Sequence, residues 1–162
     1  MKTSHRWLGV ALLLLTAAAP PARVGGPVVL SSQPGTPLDQ TARELVSQDL
    51  LEAGSTGEAP LLLIGTALLG TATDRAVLFV QLQSPRECGS SGCSTSAFAW
   101  LKTSRQWTKV LDSVGGSITV ATTRQRGMLD LVAGQERYGW TGSAYVNTRP
   151  APAVDLRPRA PR

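Results

Sequence analysis

Histidine is almost absent from this 162-residue chain. The single one, His5, lies in the opening stretch MKTSHRWLGVALLLLTAAAPPA. Lys2 and Arg6 form a positive n-region there, Leu8 to Ala19 is apolar, and Ala17, Ala18 and Ala19 are small residues of the cleavage-site kind. That is the layout of a secretory signal peptide. The apolar run falls well short of the ~20 residues that cross a bilayer. Cleavage near residue 19, with no stable membrane anchor left, is expected to deliver the protein to the periplasm or the cell exterior. The mature chain then has no histidine, which excludes Ser-His-Asp and Cys-His catalysis and His-based metal sites. Lysine is also scarce. Beyond Lys2 only Lys102 and Lys109 occur, neither in an S-x-x-K arrangement. Neither nucleotide fingerprint, G-x-G-x-x-G nor G-x-x-x-x-G-K-[ST], is present. No cofactor and no metal are expected.

A basic folded face is lacking too. The net charge is +5, but residues 38–147 carry nine Lys and Arg against ten Asp and Glu. The surplus sits in Lys2, Arg6 and Arg23 before that region and in Arg149, Arg157, Arg159 and Arg162 after it. A nucleic-acid binder needs its basic residues on one folded surface, so nucleic acid is not expected as a partner.

What remains reads as one domain. Residues 20–36, rich in Pro, Gly and Ser, read as a disordered linker after the 1–19 signal. Residues 148–162, TRPAPAVDLRPRAPR, read as a disordered tail. Between them, Pro37 to Ala53 predicts one amphipathic helix: Thr36 caps it, Pro37 opens it, and Asp39 takes the third position of a capping box. Leu38, Ala42, Leu45, Val46, Leu50 and Ala53 form its apolar stripe, and Gly54 ends it. The period then changes to two. Strands are predicted over Leu61–Leu69, Ala76–Gln83, Ser94–Thr103, Trp107–Val114, Ser117–Arg124, Met128–Val132, Tyr138–Trp140 and Ala144–Asn147, with Gly115-Gly116 as a hairpin turn. The expected fold is α+β: one N-terminal helix on an antiparallel β-meander of about six or seven strands in residues 37–147, with a small β-barrel as the alternative.

Few groups are left for chemistry. Asp74, Glu87, Asp112, Asp130 and Glu136 are the carboxylates from which a hydrolase pair would be drawn, and nothing in the sequence pairs two of them. Asp130 interrupts the apolar run GMLDLVAG and predicts a bulge cap or a loop hydrogen bond. Trp100, in mid-strand, is assigned to the core. Trp107 and Trp140 lie beside turns, where rings are free to stack on sugars or anchor a partner. With Tyr138, Arg86 and Glu87 they form the candidate binding set. Cys88 and Cys93 flank Gly-Ser-Ser-Gly in RECGSSGCST. A thioredoxin-like site calls for C-x-x-C at a helix N-terminus, and metal binding calls for more ligands. C-x₄-C between strands in an exported chain therefore predicts a disulfide.

The segments CGSSGC, GMLDLV and YGWTGSAYV, within Val77 to Val146, resemble those of small secreted bacterial proteins of uncharacterised function. Those proteins share a CGSxGC loop, a later G-x-x-D-L segment and a terminal W-x-G-x-x-Y hairpin. The last two segments also weakly resemble FG-GAP repeats, without their D-x-D-x-D-G calcium loop. The resemblance implies a secreted, β-rich module with a local disulfide, and no activity. The expected function is an exported non-catalytic module that binds an unknown protein or glycan of the cell envelope. A glycan or peptidoglycan module using exposed Trp is the first alternative, and a carboxylate-dependent hydrolase the second.

Overall fold

In the computed structural model, residues 21–55, 57, 59–70, 76–102 and 104–148 are described. The expected signal peptide, nearly all of the expected tail, and Asp74 lie outside them. The chain is mostly antiparallel β-sheet with two short helices: α1 (Pro37–Leu45), α2 (Ser47–Gly54), β1 (Leu61–Leu68), β2 (Ala76–Gln83), β3 (Cys88–Gly89), β4 (Gly92–Leu101), β5 (Gln106–Gly115), β6 (Ile118–Gln125), β7 (Met128–Ala133), β8 (Glu136–Trp140) and β9 (Tyr145–Asn147).

The single helix expected over Pro37–Ala53 is two. Val46 leaves helical geometry at φ −114° and ψ 26°. It is β-branched and buried, and Ser47 follows it; both weaken a helix at that point. The stripe is read correctly, since Ala42, Val46 and Ala53 are buried on both sides of the break. Thr36 caps α1 by accepting from the Asp39 N–H at 3.1 Å. The Asp39 carboxylate reaches back to the Gly35 N–H and is held by Arg43 Nε at 3.0 Å.

The strands form two open sheets rather than one meander or a barrel. The first has the order β1-β2-β4-β5, with the short β3 paired to the start of β4, and the second is β6-β7-β8-β9. Gly115-Gly116 is thus no hairpin turn: β5 does not pair with β6, and the two glycines carry the chain from one sheet to the other. Glycine is needed there because Gly116 has φ +85° and Gly92 has φ +100°, and a Cβ on Gly92 would come within 3.1 Å of the Gly116 Cα.

The result is three layers. Between the sheets, Ala67, Val77, Phe79, Ala97, Leu111, Val120, Leu129 and Leu131 make one core. On the other face of the first sheet, Leu62, Ile64, Leu78, Val80, Leu82 and Phe98 pack under Ala42 and Val46. The first sheet is therefore covered on both faces along β2, and this is why AVLFV (Ala76–Val80) reads as an unbroken apolar run before Gln81. In β5 a bulge turns the consecutive Val110 and Leu111 both inward.

The lead assigned to a linker is structured. The Ala22 and Ser31 N–H groups donate to Thr66 and Ile64 of β1, while those of Gly25 and Val28 donate to Val120 and Ile118 of β6. Residues 21–31 thus strap the free edges of both sheets together. Composition hides this because Pro and Gly punctuate the segment, while the side chains it packs on the core, Ala22, Val28 and Leu30, follow no sustained alternation.

Candidate ligand groove

The two helices leave part of the first sheet uncovered. On β4 the outward positions alternate as Ser94, Ser96, Phe98 and Trp100, and β5 adds Trp107, Lys109 and Asp112. Between this open half and the helices lies a groove of about 320 Å³. Val46 and Asp49 form its helical wall, Val80 and Leu82 contribute to its floor, and Glu87, Ser94, Ser96, Lys109 and Asp112 make the rest polar. Lys109 Nζ sits 5.9 Å from the centre of the Phe98 ring and 3.2 Å from Asp112 Oδ1, so its charge is held by a ring and a carboxylate together.

Two residues further along the strands, about 7 Å, Trp100 and Trp107 lie directly opposite each other. Their rings meet edge-to-face at 5.8 Å and 71°. Trp107 is half-buried against the helix-side cluster and so is fixed in place. Trp100 stands on it, 41% exposed.

The candidate residues divide between two regions. Glu87 lines the groove, and Trp107 lies beyond it on the same sheet face, opposite Trp100. Arg86 is bonded across to Glu52 of α2 at 3.3 Å, which ties the loop before β3 to the helical wall. Tyr138 and Trp140 belong to the second sheet and do not join them. Trp140, expected to be free beside its turn, is 7% exposed and packs on Tyr145 with ring centres 5.1 Å apart. The Thr141–Ala144 turn folds it inward, so it offers no stacking face. Tyr138 is half-buried and donates to the Glu136 carboxylate. Burial, then that bond and charge, push its phenol up to about 12. Trp100, assigned to the core, is the aromatic that faces water. The signal for it lay in the alternation Ser94, Ser96, Phe98, Trp100, where two serines mark that face as partly wet.

Of the carboxylates, Glu87 and Asp112 come to the same groove, with Asp49. Asp112 is 75% exposed and paired with Lys109. Asp130 is fully buried opposite a bulge in β6, where three residues, 121–123, face it alone. Its Oδ2 accepts from the Thr123 hydroxyl at 2.6 Å, so it caps that bulge. Its charge and, chiefly, burial raise the pKa of Tyr145, whose hydroxyl donates to the Leu129 carbonyl at 2.9 Å.

Cys88 and Cys93 are cross-strand partners joined by a disulfide. The bond is compatible with an oxidising extracellular or periplasmic compartment. No helix among the described residues is long and apolar enough to cross a membrane. No protein-family model matches the chain, and no curated protein or solved structure matches it significantly. The likeness to the CGSxGC proteins therefore stands on its short motifs.

Proposed function

We infer that this is an exported, non-catalytic binding module whose groove takes a glycan of the cell envelope. The observation that carries the reading is Trp100, a large ring 41% exposed on the part of the first sheet that the helices leave uncovered. Sugars stack on such rings, and they bury hydroxyls that need donors and acceptors nearby. Ser94, Ser96, Asp49, Glu87, Asp112 and Lys109 supply both along the groove. The near-balanced charge of the folded region suits a neutral polymer better than a strongly charged one. Export follows from the signal-like opening and agrees with the disulfide.

Cosedimentation with purified insoluble peptidoglycan and exopolysaccharide tests the reading. The protein should pellet with one of them, and Trp100→Ala should leave most of it in the supernatant. Failure to pellet with either sinks the proposal.

Glu87 and Asp112 in one groove favour a hydrolase as the second reading. A proton donor for glycoside cleavage is ordinarily a desolvated carboxyl, which the exposed Asp112 is not. Release of reducing ends from the bound polymer, abolished by Glu87→Gln, would move the conclusion to that reading.

A further inference from the structure

The layer between the sheets does not stay apolar to its end. Along β2 the inward positions run Val77, Phe79, Gln81, Gln83, and opposite Gln81 stands Thr95 of β4. Gln83 Nε2 donates to Gln81 Oε1 at 3.2 Å. Gln81 Nε2 donates to Thr95 Oγ1 at 2.9 Å and to the Cys93 carbonyl at 3.4 Å. Gln81 is 9% exposed and Thr95 1%. A buried amide persists only when hydrogen-bonded, and here three polar side chains stand where three apolar ones would have closed the core.

They face a cleft of about 380 Å³ walled by Val28, Leu30, Leu63 and Ile118, and among the described residues no charged one lines it. Its rim is stiff. Gly92 and Gly116 touch backbone to backbone there, and the Cys88–Cys93 bond ties the adjoining hairpin. A preformed rim lowers the ordering cost of binding. The volume lies within the range of small-molecule sites, which combine apolar walls with a few convergent polar groups.

We propose that this cleft is a second binding site, for an uncharged ligand that joins an amide or N-acyl group to an apolar group. Gln83, half-buried at the outer end of the relay, keeps its own carbonyl and one N–H free of the Gln81 bond. An amide has one acceptor and one donor to match them. The apolar part fills the space between the strap and Leu63. A charged group is disfavoured, because it would lose water and meet no counter-charge. The site lies on the opposite face of the first sheet from the groove, so either can fail without the other.

N-acetylleucinamide is the probe, followed by ¹⁵N–¹H correlation spectra of the mature protein, with free leucine as the charged comparison. The backbone signals of Gly92, Gly116 and Ser117 should shift and saturate at about 1–10 mM, a range suited to so small a ligand. Leucine should bind at least ~10-fold more weakly, and Gln83→Leu should weaken the amide by a similar factor, whereas Trp100→Ala should change nothing. No shift at those three residues overturns the proposal. So does equal binding of leucine, a result that needs only the wild-type protein and decides the matter if Gln83→Leu fails to fold. Equal binding by a folded Gln83→Leu also overturns it.

Discussion

A Cβ placed on Gly65 would run into the carbonyl oxygen of Val29, where the strap crosses β1. Backbone cannot step aside as a flexible side chain does, so Gly65→Ala must lift the strap or shift the strand. Overpacking of this kind costs about 1–3 kcal/mol. Urea denaturation should show that loss in Gly65→Ala, and an unchanged midpoint would mean the strap does not bind where it is placed. Trp100 and Trp140 make the opposite point. Trp100 reads as mid-strand and Trp140 as beside a turn, so local sequence assigns the first to the core and the second to the surface. Their environments are exchanged because exposure depends on what the helices and the second sheet cover; Ser94 and Ser96 are the local sign of it for Trp100, and Trp140 has none.

Among elements, the Cys88–Cys93 hairpin was fully legible: two cysteines around a tight Gly-Ser-Ser-Gly tip, with no other cysteine in the chain, leave little else for it to be. Closing so short a loop contributes about 2 kcal/mol by loss of unfolded-state entropy. Mass spectrometry of the mature protein should show two hydrogens missing and no free thiol. The Cys88→Ser/Cys93→Ser double variant should lose stability of that order while keeping its fold; no loss would mean the hairpin closes equally well unpinned. The eight strand ranges were also legible, from alternation and turn residues, with ends shifted by up to two positions, although a meander of about six or seven strands was expected and the described residues form nine. The break in the helix, the strap and the passage at Gly115-Gly116 were not. The break has only a weak local signal in Val46-Ser47, and the other two are set by neighbours distant in sequence: the two edges beside residues 21–31 and the close approach of Gly92. A Gly-Gly pair signals only that the chain turns, not which strand it turns toward.

At the scale of the whole molecule, the chain's only two tyrosines, Tyr138 and Tyr145, both titrate above the ordinary value of 10.0. The neutral phenols are favoured in the fold by burial first, then by Glu136 for Tyr138 and by Asp130 for Tyr145. The unfolded chain ionises near pH 10 and the folded one does not, so this contribution to stability is complete below pH 10. It is lost as pH rises from there through about 12, where Tyr138 titrates. Absorbance near 295 nm should therefore show almost no phenolate at pH 10 in the folded protein, and about half ionisation at that pH in urea. A folded protein that titrates at pH 10 would place both hydroxyls in open water.

Trp100, standing on Trp107 beyond the groove, is the proposed stacking face for a glycan, and tryptophan fluorescence titrated with soluble cell-wall glycan fragments reads that contact. The mature protein should show a saturable change in emission. Trp100→Ala should abolish it, and Tyr138→Phe on the second sheet should leave it intact. A change that persists undiminished in Trp100→Ala, or no change with any fragment, would mean that Trp100 is not where a glycan stacks.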